Sequence, residues 1–115
     1  EINYNFSLNK FTKKNCFIIK NIISKLISEK VKVKAPNDIL VKNKKICGIL
    51  QEIVFHNKKR FAIIGIGINL IKSPTLKKYP TTHLSNYVEK VDKLLIIRNI
   101  EKQYGKKINY LKSNS

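Results

Sequence analysis

The sequence predicts an α+β domain built on a mixed, mainly antiparallel sheet flanked by helices. Two observations carry the prediction. Stretches near each end repeat apolar residues at helical spacing, and the region between them alternates in short runs broken by Pro, Asn and Lys turns. At 115 residues the chain is long enough for one compact core and too short for two ordinary domains, so residues 1–115 are read as one unit.

Ile2, Tyr4, Phe6 and Leu8 alternate with Asn3, Asn5, Ser7 and Asn9, which predicts a strand over 2–8. From about Thr12 to Glu29, apolar residues recur at Cys16, Ile19, Ile22, Ile23, Leu26 and Ile27, one face of a helix with Thr12 as its N-cap. Residues 31–71 read as an antiparallel meander. Val31 and Val33 alternate up to the Ala35-Pro36 turn, Ile39 to Val41 and Ile46 to Phe55 join at Lys42-Asn43-Lys44, and Asn57-Lys58 turns the chain into Phe61 to Leu70. Pro74 and Pro80 mark a loop over 72–91. Asp92 then caps a helix of about 92–104 that Gly105 closes, and a polar, lysine-rich tail, 105–115, follows.

Composition narrows the function. The net charge of +17 invites a nucleic-acid reading, but 22 of the 24 basic residues are lysine and they are spread along the chain. Arg is the residue suited to bidentate base or phosphate recognition, so no specific nucleic-acid role is expected. The longest apolar run, Phe61 to Leu70, has ten residues against the roughly 20 needed to span a bilayer, so no membrane span is expected. The first residues, EINYNF, lack the pattern of a secretory signal, which makes the cytoplasm the default. Cys16, Cys47, His56 and His83 lack ligand spacing, so no metal site is predicted and the cysteines read as small buried hydrophobes. Neither a GxSxG elbow nor a phosphate-binding P-loop occurs.

Three segments could carry chemistry. In Phe61 to Leu70, one face presents Ala62, Ile64, Ile66, Ile68 and Leu70, while the other loses its side chains at Gly65 and Gly67 before reaching Asn69. Paired strand glycines serve either twist and packing or the close approach of a ligand, and Asn69 offers a donor and an acceptor or merely a turn. The Pro36-Asn37-Asp38 turn puts an amide and a carboxylate beside a strand, residues that also favour turns for local reasons. Lys45 stands where the chain becomes apolar, ahead of Gly48 and Leu50, which share a face.

The order KAPND, KKICGIL, GIGINL resembles the second half of the catalytic domain of biotin-protein ligases, whose pattern is K-W-P-N-D, then K-x-x-G-I-L-x-E, then G-x-G-x-N. The resemblance spans about Ile2 to Tyr104 and implies the biotin/lipoate-protein ligase catalytic fold. It also implies a biotin--[acetyl-CoA-carboxylase] ligase that uses ATP, with Mg2+, to make biotinyl-5'-AMP and passes biotin to a lysine of a biotin carboxyl carrier protein or domain. By the same resemblance, Lys45 contacts the biotin carboxylate and the adenylate, Gly48 and Leu50 line the biotin pocket, and Asn69 serves the nucleotide. Asn37, Gly65 and Gly67 belong to the binding set, and Asp38 positions or deprotonates the acceptor lysine. Many members of the family dimerise through a sheet edge, so the resemblance admits a homodimer. Ala35 stands where the family has tryptophan, and the family's Gly/Arg-rich loop lies upstream of the region represented here. The expectation is therefore an N-terminally truncated copy, with a lipoate-ligase-like acyltransferase and a non-catalytic fragment of the same fold as the alternatives.

Overall fold

The computed structural model describes residue 2, residues 6–75 and residues 79–105. The first helix, α1 (Leu8–Leu26), buries Asn15, Cys16, Ile19, Ile22 and Ile23 on one face. It starts earlier than the Thr12 cap predicted from sequence. Ser7 is the N-cap and its side chain accepts from the Lys10 amide, while Phe6 packs edge-on against Phe11 with ring centroids 5.2 Å apart. That pair is a hydrophobic staple across the cap, and it fixes the direction in which the chain enters the helix. The C-terminal end of the strand expected over 2–8 is corrected: Leu8 is helical, and Phe6 and Ser7 lead into the helix. The Ile2 amide donates to the Arg60 carbonyl at 2.8 Å, and residues 1 and 3–5 lie outside the described residues. Thr12 instead turns its hydroxyl back onto the Leu8 carbonyl at 2.9 Å. The helix also stops three residues before the Glu29 expected, because Ile27 is already extended.

Four strands follow: β1 (Val31–Lys34), β2 (Asp38–Val41), β3 (Lys44–His56) and β4 (Lys59–Ile68), hydrogen-bonded in the order β1-β2-β3-β4, every pair antiparallel. The parallel component among the described residues is one isolated bridge, Lys45 with Thr81. Both tight hairpins place two consecutive residues at positive φ, Lys42 (51°) with Asn43 (63°) and Asn57 (50°) with Lys58 (64°). This is the primed turn whose twist matches paired strands; Asn tolerates it well, and the lysines bear a cost of about 1 kcal/mol each.

The core lies between α1 and one face of the sheet, where Ile19 and Ile23 meet Ile39, Val41, Cys47, Ile49 and Ile68. The second helix, α2 (Lys93–Tyr104), adds Ile96; Asp92 accepts from the Leu95 amide at 3.1 Å and Gly105 closes it at φ 84°. The two helices are tied by a buried polar chain: the Tyr104 hydroxyl donates to Asn15 Oδ1 at 2.8 Å, and Asn15 Nδ2 donates to Gln51 at 3.4 Å. Among its described residues, the loop between β4 and α2 contains a single 3-10 turn, Leu84–Asn86. The expected tail lies outside the described residues from 106 on. No helix among the described residues is long and apolar enough to cross a membrane.

Candidate functional site

With the core on one face of the sheet, the opposite face shows what the strand sequences leave out. The β3–β4 register pairs Gly48 with Gly67 and Leu50 with Gly65, and the β2–β3 register pairs Asp38 with Gly48. Since side chains alternate, Cys47, Ile49, Ile66 and Ile68 point to the core, and Gly48, Leu50, Gly65 and Gly67 point away from it. Across three strands this outer face has a carboxylate at Asp38, three bare positions at Gly48, Gly65 and Gly67, and Leu50. It forms the floor of an open cleft of about 590 Å³ lined by Asn37, Asp38, Lys45, Gly48, Ile49, Leu50, Gly65, Ile66, Gly67 and Tyr79. Leu50, 63% exposed, makes one wall.

The glycines differ in what keeps them bare. A Cβ on Gly48 would come within 3.2 Å of Lys45 Cε and 3.3 Å of its Nζ, so the lysine lies directly across that position. A Cβ on Gly65 or Gly67 would find its nearest neighbours at 3.8 Å, an ordinary contact. The protein's own packing therefore does not require those two positions to be empty.

Lys45 reaches the cleft because a register shift between Ile39 and Leu40 changes how β2 meets the start of β3. Its ammonium lies 3.2 Å from Asp38, donates to the Tyr79 hydroxyl at 3.4 Å and sits 5.3 Å from the Tyr79 ring centroid. Partial burial alone disfavours the charge. The hydrogen bonds to Asp38 and Tyr79, with the Asp38 charge, outweigh it and hold the Lys45 pKa above the ordinary lysine value. The lysine is thus a fixed cation at neutral pH.

Its backbone is fixed as well. The Lys45 amide donates to the Pro80 carbonyl at 2.9 Å and its carbonyl accepts from the Thr82 amide at 2.8 Å, so residues 79–82 form a strap along the start of β3. Thr82 is buried at 2% exposure, its hydroxyl shared with Tyr87 (2.7 Å) and Asn86 (3.1 Å).

The sequence-predicted residues fall into two groups. Lys45, Asp38, Asn37, Gly48, Leu50, Gly65 and Gly67 line one cleft. Within it Asn37 is committed to the fold, its Nδ2 donating to the Ile49 carbonyl at 2.7 Å while its own carbonyl accepts from the Ile49 amide at 3.0 Å. Asn69 is not among the lining residues. Its amide group donates to the Thr82 carbonyl at 3.1 Å and so anchors the strap. Ala35 is exposed in the turn before Asn37. Sequence reasoning missed Tyr79 and Thr82, which nothing in the loop's composition marks.

The remaining reactive groups are elsewhere. Burial pushes the Cys47 thiol up to about 12 and raises that of Cys16, so both are inert hydrophobes. His83 shares a hydrogen bond with Ser73 at 3.1 Å, and no group of three or more His, Cys, Asp or Glu side chains among the described residues could hold a metal ion.

The model of the biotin/lipoate A/B protein ligase family matches residues 10–69, just over half of the chain. The chain belongs to that family. The match takes in α1 from its third residue, all four strands and every predicted site residue up to Asn69, and the strap with Tyr79 lies beyond it. Among biotin/lipoate ligase relatives, the bifunctional ligase/repressor BirA of Bacillus subtilis is 39% identical over 82 residues, covering 63% of this chain and 25% of that protein. The chain therefore spans about a quarter of that relative's length. Among solved structures, the biotin protein ligase of Aquifex aeolicus in complex with biotin and ATP superposes with a TM-score of 0.68 at 22% identity, over 84% of this chain and 41% of that one. LipL1 of P. falciparum in complex with lipoate gives 0.55 at 21% identity, over 95% and 34%. At those identities the two structures bear on the fold, which is the biotin/lipoate ligase catalytic fold.

Proposed function

We propose that the cleft belongs to a biotin-protein ligase, in which it holds the carboxylate of biotin and the α-phosphate of ATP against Lys45. The observation that carries the reading is the meeting of three separate sequence blocks in one cleft: Asn37-Asp38, Lys45 with Gly48, and Gly65 with Gly67. A cation stands over a floor without side chains, which suits a flat acyl group and its carboxylate.

In the first step a biotin carboxylate oxygen attacks the α-phosphorus of ATP and pyrophosphate leaves, giving biotinyl-5'-AMP. Two anions must approach each other, and a fixed ammonium offsets their repulsion as charge develops. In the second step the ε-amine of an acceptor lysine attacks the acyl carbonyl, AMP leaves with the bonding pair, and the amine's proton is lost. Asp38, 3.2 Å from Lys45, is the one carboxylate among the described residues that line the cleft, which supports it as the group that steers or accepts that proton. The acceptor is a biotin carboxyl carrier protein or domain.

The donor set does not suit a protein-held divalent cation, because Asp38 is ion-paired with Lys45 and no other carboxylate among the described residues lines the cleft. Mg2+ accordingly belongs to this reading only as the companion of the ATP phosphates.

The family takes in lipoate as well as biotin ligases, and the LipL1 likeness extends over 95% of the chain, so lipoate is the competing acyl group. Adenylate formation followed separately with biotin and with lipoate discriminates between them. Product from biotin alone supports the proposal, and product from lipoate alone replaces it.

A further inference from the structure

A cation that serves the reaction must be aimed as well as present, and the surroundings of Lys45 Nζ supply the aim. An ammonium has three N–H donors. Among the described residues, Asp38 and the Tyr79 hydroxyl are the hydrogen-bonding partners of Lys45 Nζ, at 3.2 and 3.4 Å. The third donor remains for an anion in the cleft. A lysine side chain left to itself would spread over many rotamers, whereas here Cε and Nζ are held above Gly48.

We propose that Tyr79 is a positioning residue for Lys45: its hydroxyl and ring hold one side of the ammonium while Asp38 holds the other, so that the remaining N–H faces the cleft. The strap makes this possible. Residues 80 and 82 bond to both backbone polar groups of Lys45, Asn69 fixes the Thr82 carbonyl, and the buried Thr82 hydroxyl ties the strap to Tyr87. Tyr79 is therefore carried on the segment that pairs with the very residue it touches, and any displacement of the strap moves backbone and side chain of the site together. The ring contributes independently of the hydroxyl, because an ammonium 5.3 Å from a tyrosine centroid is within cation–π range. This inference rests on the Lys45 reading for its functional consequence, and its structural part can be tested without any substrate.

The test compares the full chain with Tyr79→Phe and Tyr79→Ala, using a Lys45→Arg sample to assign the Lys45 side-chain resonances. Hydrogen exchange of the Lys45 ammonium protons near pH 6 is the first readout. The proposal expects slower exchange in wild type than at surface lysines, partial loss of that protection in Tyr79→Phe and full loss in Tyr79→Ala, each step about three- to tenfold. Where the wild type forms acyl-adenylate, kcat/KM falls in the same order, and Phe restores part of what Ala removes while the thermal midpoint stays in place. Identical Lys45 exchange in all three proteins overturns the proposal, as does a kcat/KM loss that only follows loss of folded protein. A wild type that forms no adenylate from biotin or lipoate counts against the proposed function, while the exchange data still decide the role of Tyr79.

Discussion

Replacing Gly48 with Ala is expected to leave the protein as stable as before, or slightly more so, while impairing the site. Removing glycine's freedom from the unfolded chain contributes about 0.4–1 kcal/mol where the backbone is compatible, and Gly48 has no positive φ to forbid it. Against this stands the new methyl group, whose carbon would lie 3.2 Å from Lys45 Cε and 3.3 Å from Nζ. Both atoms are the far end of a flexible side chain, so the clash is relieved by moving the lysine and not the sheet. A shift of a few tenths of an ångström takes Nζ, now 3.2 Å from Asp38 and 3.4 Å from Tyr79, beyond hydrogen-bonding distance of one or both. In the ground state that loss is about 1 kcal/mol or less, because the pair is partly solvated. In the reaction the displaced cation no longer meets the developing charge, and a loss of about 1.4–2.8 kcal/mol of transition-state stabilisation gives a ten- to hundredfold fall in rate. Urea unfolding and steady-state adenylate formation, run on the same preparations, separate the two effects. The reasoning fails if Gly48→Ala keeps wild-type kcat/KM, or if its activity falls only as far as its stability does.

Lys45→Ala removes an attraction of order 4 kcal/mol at about 4 Å and an effective dielectric of about 20, and is expected to slow adenylation by roughly 10²- to 10³-fold with circular dichroism unchanged. Gly67→Ala, whose Cβ would meet nothing closer than 3.8 Å, should fold normally and leave Lys45 in place, yet weaken biotin binding about tenfold or more by calorimetry, because the methyl projects from the cleft floor. Burial pushes the Tyr104 hydroxyl up to about 12 from an ordinary 10. The folded state thus keeps its proton more tightly than the unfolded state, and that share of stability is full below about pH 10 and lost as pH rises towards 12. Tyr104→Phe should cost about 1–3 kcal/mol in urea unfolding at pH 7, by leaving Asn15 without its phenol donor, and should flatten this alkaline decline.

The parts of the fold legible in the sequence are those set by neighbouring residues. Asp92 and Gly105 bracket α2 because cap chemistry is local, and Asn57-Lys58 turns the β3–β4 hairpin for the same reason. The bare strip at Gly65 and Gly67 could be read because strand side chains alternate with period 2. The start of α1 is hidden where two periods coincide: Ile2, Tyr4, Phe6 and Leu8 alternate like a strand, and the first helical turn has too few apolar residues to contradict them. The signal that decides it, Phe6 and Phe11 flanking Ser7, spans the boundary itself. Tyr79 could not be found in this way, because its contact with Lys45 joins residues 34 apart and depends on a strap that only the folded sheet edge positions. The bond from the Asn69 amide group to the Thr82 carbonyl was equally out of reach of the sequence, because it joins residues 13 apart across the same strap.

The central claim is that the cleft over Gly48 and Gly67 receives biotin as its adenylate, and titrating the isotopically labelled chain with a non-hydrolysable biotinyl-adenylate analogue tests it most directly. The account predicts saturable binding, with resonance changes concentrated at Asp38, Lys45, Gly48, Gly65 and Gly67 and abolished by Lys45→Ala. Absence of saturable binding, or changes centred instead on the apolar pocket between Leu26 and Leu95, would contradict it.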